Sequence, residues 1–209
     1  MILMKEDFFL NVAMTMARSR ANGPGERAVV WVQGCTIGCP GCYNSFTHPH
    51  QSERITSPLD LANWINSIDN IEGITFSGGE PFEQSEAILR VIRLVNQNRK
   101  TPLSVFVFTG FEYNVLKSSS NDAVQNLLSL VDVLSAGPYI ASERDESLLW
   151  RGSANQELIY LTNRYSVTSE GKWAVESPIE EILYPNNDIV RTGFLGVRGN
   201  LYKSILKLQ

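Results

Sequence analysis

The sequence has few of the residues that build disulfide frameworks or histidine-rich metal sites. Its 209 residues include three cysteines and two histidines. All three cysteines, an odd number, fall within one eight-residue stretch. That arrangement is wrong for a network of disulfides and suits a metal site. The sequence therefore predicts a metal-binding loop in a protein that works in a reducing compartment.

Long apolar runs and an excess of positive charge are also missing. No stretch of about 18 apolar residues occurs, so we do not expect a membrane-spanning helix. The N-terminal stretch places acidic residues before its apolar run, unlike a secretory signal with its basic start. The 22 acidic and 18 basic residues leave no basic stripe for phosphate contacts. We expect a cytoplasmic protein whose partners include neither nucleic acid nor a membrane.

The rest of the composition is that of an ordinary folded protein. Hydrophobic residues make up 43% of the chain and charged residues 19%. A length of 209 residues is within the usual range for one domain with a substantial core. We therefore expect residues 1–209 to form a single domain that is folded throughout.

The hydrophobic pattern predicts strands that alternate with helices. Two strands at 8–18 and 27–33 are separated by a strong turn signal at 22–25. The elements predicted after them are a helix from Ser57–Pro58 to near Asn70, a strand at 71–77, a helix near 83–98, a strand at 103–108, a helix near 121–129, a strand at 130–135 and possible short strands at 157–161 and 189–192. This alternation indicates βαβ units and a parallel sheet, which either stays open or curls into a full or partial barrel.

Three motifs follow directly after predicted strands. They are Gly34 to Tyr43, Ser77 to Pro81, and Thr109–Gly110. Because active-site residues of α/β proteins gather at the carboxyl ends of parallel strands, we expect these motifs to meet at one edge of the sheet. Their convergence indicates a functional site.

The first of these motifs holds the cysteines. Cys35, Cys39 and Cys42 lie in a short, glycine-rich loop, where the backbone can wrap around a compact inorganic cluster. Thiolates are the soft ligands that iron–sulfur clusters require. Four cysteines would complete a 4Fe-4S cluster, but the chain has three, so one iron would be left open to bind a substrate.

Two other interpretations of the loop stay open. A structural zinc site could take His48 or His50 as the fourth ligand of a Cys3His set. Zinc sites commonly pair two separated knuckles, whereas these cysteines are followed by Tyr43 and lie after a buried strand, which favours the iron–sulfur cluster. Three free, buried cysteines are the remaining interpretation, and both histidines could simply be solvated.

The cysteine spacing with Tyr43 after it resembles the C-x3-C-x2-C signature of the radical S-adenosylmethionine superfamily. Ser77 to Pro81 is similar to the superfamily's GGE motif. Within the superfamily, the sequence most resembles the glycyl-radical-enzyme activases, above all those of anaerobic ribonucleotide reductase. Matching segments are Gly23 to Arg27, Gly41 to Asn44, Phe108 to Phe111 and Trp150 to Gln156, so the resemblance runs from about residue 10 to about 160. One departure is Ser135-Ala136-Gly137, where the family often has Val-Asp-Gly.

This resemblance implies a fold and a set of site residues. The fold would be a partial (β/α)6 barrel of the TIM type, formed as a single radical S-adenosylmethionine domain over 1–209. Cys35, Cys39 and Cys42 would ligate the 4Fe-4S cluster. S-adenosylmethionine would be bound by the backbone from Gly41 to Tyr43 along the adenine, by Ser77, Gly78, Gly79 and Glu80 at the methionine ammonium, by Thr109 at the ribose or carboxylate, and by Asn155 and Gln156.

The activity implied is reductive cleavage of S-adenosylmethionine to methionine and a 5′-deoxyadenosyl radical, with the electron supplied by a flavodoxin- or ferredoxin-type protein. One hypothesis is that the radical removes a hydrogen from a glycine of a partner, such as anaerobic ribonucleotide reductase. Another is that it modifies a small molecule or nucleoside derivative in a pocket built by 163–209. A non-catalytic zinc or electron-transfer module is the third. The family motifs favour the first.

Overall fold

A seven-stranded mixed sheet forms the centre of the protein. The computed structural model describes residues 8–97, 99–145, 147–169, 173, 180–183 and 189–193. The strands of the sheet are β1 (Leu10–Ser19), β2 (Arg27–Val32), β3 (Arg54–Thr56), β4 (Gly73–Gly78), β5 (Ser104–Thr109), β6 (Val133–Ala136) and β7 (Glu157–Tyr160). Their spatial order is β3-β1-β2-β4-β5-β6-β7. Two further strands, β8 (Glu180–Leu183) and β9 (Ile189–Thr192), pair with each other in a separate antiparallel sheet.

Along the chain, the helices follow strands of the central sheet. They are α1 (Pro58–Asn66), α2 (Ser85–Asn96), α3 (Tyr113–Lys117) and α4 (Asp122–Leu128), with short 3-10 turns at Ser45–Thr47, Pro81–Gln84, Ala141–Glu143 and Val167–Ser169. Every helix and strand predicted from the pattern is present. The short elements β3, α3 and β8 were not predicted, because three to five residues are too few to show a period. No helix in the described ranges is long and apolar enough to span a bilayer.

Strand direction divides the sheet into a centre and two edges. The four strands β2, β4, β5 and β6 are parallel to their neighbours in this group. At the edges, β1 is antiparallel to β2, β3 to β1, and β7 to β6. The predicted parallel sheet is therefore confirmed for the centre and wrong for the edges. A parallel neighbour needs a long crossover connection, usually a helix, and the described residues between β1 and β2 and between β6 and β7 form no α-helix. Closure of the sheet into a partial barrel stays a prediction.

A side-chain cap begins α1, whereas a 3-10 turn precedes α2. The side chain of Ser57 accepts the Asp60 N–H at 3.0 Å, and Pro58 occupies the first helical position, so α1 begins where the sequence predicted. It ends at Asn66, short of the predicted end near Asn70. The helix predicted near 83–98 begins at Ser85, because Pro81–Gln84 forms a 3-10 turn first.

The two faces of the sheet are buried in different ways. Alternate residues of β2 and β4, such as Val30, Ile74 and Phe76, pack with the apolar sides of α1 and α2 into the main core. The opposite face carries polar and aromatic side chains, and there Trp150 and Trp173 pack against β5 and β6. One face therefore supplies most of the apolar burial, and the other leaves room for a site.

Arg27 ties the amino ends of the parallel strands together. Its guanidinium is fully buried on the face opposite the helices. It donates hydrogen bonds to Thr75 Oγ1 at 2.8 Å, Ser104 Oγ at 2.7 Å and the Ser104 carbonyl at 3.1 Å. Further bonds reach the carbonyls of Pro24 and Ile74 at 2.9 and 2.8 Å. The segment from Gly23 to Arg27 therefore braces the end of the sheet away from the cysteine loop.

Candidate functional site

The cysteine loop leaves the carboxyl end of β2 and is closed at its base by backbone hydrogen bonds. Gly34 N donates to the Thr47 carbonyl at 2.8 Å, and Cys35 N donates to the His48 carbonyl at 3.0 Å. The three thiols are free and partly buried. Burial raises the pKa of the Cys35 and Cys42 thiols. Their conversion to thiolates therefore calls for a positive partner, which a bound iron centre supplies.

The three cysteines and one of the two histidines border the same cavity. All three line one cavity of about 230 Å³. Among the described residues, no three His, Cys, Asp or Glu side chains are grouped closely enough to hold one metal ion. A structural zinc needs its ligands within about 2.0–2.3 Å of one centre, whereas the cysteines of a 4Fe-4S cluster bind different irons. His48 lines the cavity, while His50 bonds to Glu83 at 2.7 Å.

The Gly-Gly-Glu turn packs directly on the start of the cysteine loop. Gly79 N donates to the Val32 carbonyl, and Glu80 N donates to the Gly34 carbonyl, both at 2.8 Å. A side chain at Gly79 would place its Cβ 2.0 Å from the Gly34 oxygen, and Gly78 has a φ of +97°. Only glycine fits this contact between two backbones. The two motifs predicted from the sequence are therefore physically joined.

Glu80 is the most buried acid of the site. Its Oε1 accepts from Phe82 N at 2.9 Å and from the Thr109 hydroxyl at 2.8 Å, and its Oε2 accepts from Gly110 N at 2.8 Å. Burial raises the pKa of Glu80 to about 7, although these three hydrogen bonds oppose the rise. Because Glu80 also lines the cavity, a cation placed there would favour its ionised form.

Thr109–Gly110 is the third predicted motif, and it meets the other two. The Thr109 hydroxyl donates to Glu80, so its proton is directed at the carboxylate. A Cβ on Gly110 would lie 2.6 Å from Cδ1 of Ile37, which shows how closely β5 approaches the cysteine loop. The predicted convergence of the three motifs at the carboxyl ends of β2, β4 and β5 is confirmed.

The other predicted site residues differ in their positions. Ser77 and Tyr43 line the cavity, and the Tyr43 ring, 56% exposed, lies 5.8 Å from the Tyr139 ring. Gly41 has a φ of +75° in the loop but is not among the described lining residues. Asn155 is also absent from that lining; its Nδ2 donates to the Pro138 carbonyl at 2.8 Å.

Gln156 lines the cavity but is already engaged by the backbone around it. Its Oε1 accepts from Gly152 N at 2.7 Å, and its Nε2 donates to the Gly137 carbonyl at 2.8 Å. This amide therefore shapes the wall of the cavity beside the departure from the family pattern at Ser135-Ala136-Gly137.

Sequence reasoning missed several lining residues on the open face of the sheet. They are Met14, Asn22, Trp31, Phe108, Ser135, Trp150, Thr192 and Gly193. Period-two alternation could have assigned Trp31, Phe108 and Ser135 to the same face as Ser77. Thr192 gave no such signal, because it comes to the site only through tertiary contact, with Asn22 Nδ2 donating to its Oγ1 at 2.9 Å.

Comparison with known proteins agrees with this geometry. The family described as a 4Fe-4S single cluster domain matches residues 21–159. The anaerobic ribonucleoside-triphosphate reductase-activating protein of Escherichia coli K12 is 33% identical over 146 residues, covering 67% of this chain and 92% of that protein. The protein of the same name from Enterobacteria phage T4 is 31% identical over 142 residues, covering 66% of this chain and 85% of that protein.

Among solved structures, the crystal structure of QueE from Escherichia coli matches 49% of this chain and 52% of its own, with a TM-score of 0.37 and 19% identity. A likeness this distant carries no argument. The sequence relatives and the matched family confirm the resemblance stated from the motifs. The chain belongs to the 4Fe-4S single cluster domain family and to the anaerobic ribonucleoside-triphosphate reductase-activating proteins.

Proposed function

We propose that the protein is a radical S-adenosylmethionine enzyme that generates a glycyl radical on an anaerobic ribonucleoside-triphosphate reductase. The observation that carries this proposal is the shared cavity, which the three cysteines line together with Ser77, Gly78, Gly79 and Glu80. The chain has three cysteines in all, so one iron of a four-iron cluster would have no protein thiolate. Membership of the activating-protein family supports the same conclusion.

Cys35, Cys39 and Cys42 would hold the cluster, and their partly buried thiols match the soft donors that iron requires. When bound, the cluster supplies the electron that splits S-adenosylmethionine into methionine and a 5′-deoxyadenosyl radical. The reducing electron would come from a flavodoxin- or ferredoxin-type protein. The chain itself contributes binding, orientation and exclusion of water.

Glu80 would bind the methionine ammonium. Its carboxylate faces the cavity while three donors hold it in place, so it is oriented before a ligand arrives. Thr109 then acts through Glu80, because its hydroxyl proton already points to the carboxylate. Tyr43 lines the cavity beside the cysteines, which supports a place along the adenine for the Gly41 to Tyr43 backbone. Asn155 would contact S-adenosylmethionine from the edge of the site.

The arrangement of layers supports the proposal that the sheet forms part of a barrel. Helices cover one face of β2, β4, β5 and β6, and the cavity lies on the other face at their carboxyl ends. Active sites of α/β barrels occupy this end. The aromatic side chains of Trp31, Phe108 and Trp150 would keep water from the inner part of the cavity.

A small-molecule substrate is the second candidate. Thr192 and Gly193, which belong to the segment first suggested to build a pocket, line the cavity. The names of the relatives favour a protein partner instead. Fold and cofactor motifs do not specify a substrate, so the choice needs a direct assay.

The test begins with protein purified without oxygen. We expect a brown protein with about four irons per chain that forms 5′-deoxyadenosine from S-adenosylmethionine and dithionite. Replacement Cys39→Ala should abolish both the colour and the product. Mixing with the anaerobic reductase of the same host should give a glycyl electron paramagnetic resonance signal. A colourless, zinc-bearing protein would overturn the proposal, and 5′-deoxyadenosine without any glycyl signal would favour the small substrate.

A further inference from the structure

The 3-10 turn Pro81–Gln84, directly after Glu80, holds both ends of the cysteine loop. Glu83 Oε1 accepts from the Thr36 N–H at 2.7 Å and from the Thr36 hydroxyl at 2.6 Å. Glu83 Oε2 bonds to His50 Nε2 at 2.7 Å. Thr36 follows the first cysteine and His50 lies beyond the last, so one carboxylate connects the beginning of the loop to its end.

The residue after Glu83 anchors the turn to the sheet. Gln84 Oε1 accepts from Asn11 N at 2.8 Å, and its Nε2 donates to the carbonyls of Gln33 at 3.0 Å and Asn11 at 3.2 Å. Gln33 in turn donates from Nε2 to the Pro49 carbonyl at 2.7 Å. The base of the loop is thus fixed by bonds that do not involve Glu83. Its particular contribution is to hold the segment that begins at Thr36.

Glu83 also places a negative charge beside the loop. Its side chain is 21% exposed. Burial alone would raise the pKa of Glu83, but the hydrogen bonds from Thr36 and His50 outweigh burial and lower it, so the carboxylate is ionised at neutral pH. Thr36, whose N–H and hydroxyl both bond to Glu83 Oε1, is the residue next to Cys35 in the chain. The negative charge of Glu83 therefore lies beside the segment that carries the first cysteine.

Two consequences follow for a cluster bound at Cys35. The potential of an iron–sulfur cluster depends on net charge and on hydrogen bonds to its sulfurs. Reduction adds a negative charge, which a nearby carboxylate opposes. Glu83 also binds the Thr36 N–H and hydroxyl, two donors next to a ligand that would stabilise the reduced state if they bonded to sulfur. Both effects lower the reduction potential.

We propose that Glu83 is a positioning residue of the cysteine loop that also keeps the reduction potential of the bound cluster low. The inference rests on the proposed function, since it requires the cluster. A low potential would suit an enzyme that must pass an electron to a sulfonium, which is difficult to reduce. No role for this carboxylate follows from the cysteine signature or the Gly-Gly-Glu motif.

The decisive variant is Glu83→Gln in the cluster-loaded, full-length protein. A glutamine carbonyl can still accept both bonds from Thr36, so the position of the loop is retained while the charge is removed. We expect the midpoint potential to rise by about 59 mV, which corresponds to a tenfold change in the equilibrium constant for one-electron reduction. A dithionite titration followed by electron paramagnetic resonance of the reduced cluster measures it.

The matched control is Glu86→Gln, which removes the same charge from a carboxylate that pairs with Arg90 at 3.0 Å. Its potential should equal that of the unmodified protein. Glu83→Asp keeps the charge but shortens the side chain, so the potential should stay low while a chelator removes iron several-fold faster. Glu83→Ala should lose iron faster still.

The outcomes separate this inference from the proposed function. If the unmodified protein bound no cluster, the proposed function itself would be overturned. A cluster whose potential is the same in Glu83→Gln and Glu86→Gln would overturn the tuning role alone. Equal iron loss from Glu83→Ala and the unmodified protein would overturn the positioning role. If Glu83→Gln lost its cluster while Glu86→Gln kept it, the positioning role would be supported. The tuning role would then require that Glu83→Asp, which keeps the charge, retains the low potential.

Discussion

Two buried charged side chains, Arg27 and Glu80, lie at opposite ends of the same parallel strands. Both have no exposed surface, and the hydrogen bonds of both go to neutral groups. Arg27 uses its guanidinium nitrogens on three backbone carbonyls and two hydroxyls, at the amino ends of the strands. Glu80 accepts three hydrogen bonds at the carboxyl ends and still borders a cavity.

We propose that burial of an ionisable side chain serves structure at one end of the strands and binding at the other. The donors of Arg27 have partners within the protein, so its burial binds β2, β4 and β5 together. The pKa of Glu80 is raised to about 7, because burial destabilises the carboxylate more than its three hydrogen bonds stabilise it. A cation in the cavity would stabilise the ionised carboxylate further. Substitutions at the two positions should therefore affect different properties.

The largest expected effect is on stability, from Arg27→Met. Methionine has a similar length but no donors, so the carbonyls of Pro24, Ile74 and Ser104 would lose their partners. We expect the free energy of unfolding to fall by at least about 4 kcal/mol, measured by denaturant unfolding of cluster-free protein. Arg18→Met is the control, since Arg18 is an exposed partner of Glu26 and should cost less than about 1 kcal/mol. Similar losses in the two variants would show that the buried guanidinium stabilises the fold no more than an exposed ion pair does.

Glu80→Gln should have its main effect on binding. The amide keeps most of the shape of the side chain but cannot offer a negative charge to the methionine ammonium. We expect the affinity for S-adenosylmethionine to fall roughly 30- to 100-fold, about 2–3 kcal/mol, with a smaller loss of stability. Equilibrium binding to cluster-loaded protein measures this loss. Unchanged affinity in this variant would remove Glu80 from the binding site.

The raised pKa of Glu80 predicts a dependence of stability on pH. The carboxyl holds its proton up to about pH 7 when folded, against an ordinary value of 4.5. The folded protein therefore binds more protons than the unfolded chain within this window, and the free energy of unfolding falls as pH rises from about 4.5 to 7. The contribution is at most about 3 kcal/mol. Unfolding curves of cluster-free protein and of Glu80→Gln should differ in this window; parallel curves would contradict the raised pKa.

Thr109→Val should have the smallest effect. It removes the hydroxyl that donates to Glu80 at 2.8 Å and leaves the Gly110 and Phe82 donors in place. We expect a loss of about 1–2 kcal/mol in stability, a further rise in the pKa of Glu80 and a several-fold weaker affinity for S-adenosylmethionine. Thr109→Ser keeps the hydroxyl and should behave like the unmodified protein. If valine and serine have equal affinities, Thr109 does not orient Glu80.

Much of the fold was predictable because its elements carry local signals. The strands at β2, β4 and β5 are apolar runs between turn residues, and α1 begins at a Ser-Pro cap. The antiparallel edges were not predictable from alternation, because pairing direction depends on where a connection leads and not on the residues of the strand. β3 is too short for a period and exists through its pairing with β1.

The candidate site divides in the same way. Cys35, Cys39, Cys42 and the Gly-Gly-Glu turn are recognisable as motifs because their members are close in the chain. The partners of Glu80 and Glu83 are not, since Thr109 lies 29 residues from Glu80 and Thr36 lies 47 residues from Glu83. No spacing rule connects residues that far apart.

The chemistry available to this protein can be read from its residues: three thiols in one loop, no fourth cysteine, and glycines before an acid at the end of a predicted strand. The residue types and their spacing along the chain are fixed by the covalent sequence, so they can be identified without a structure. Only the packed structure shows that Glu80 is buried beside the cavity, that Arg27 lies at the opposite end of the strands, and that Glu83 bonds to both Thr36 and His50. Burial and hydrogen-bond partners arise only when distant segments pack together, and they determine the charge and potential with which the chemistry proceeds.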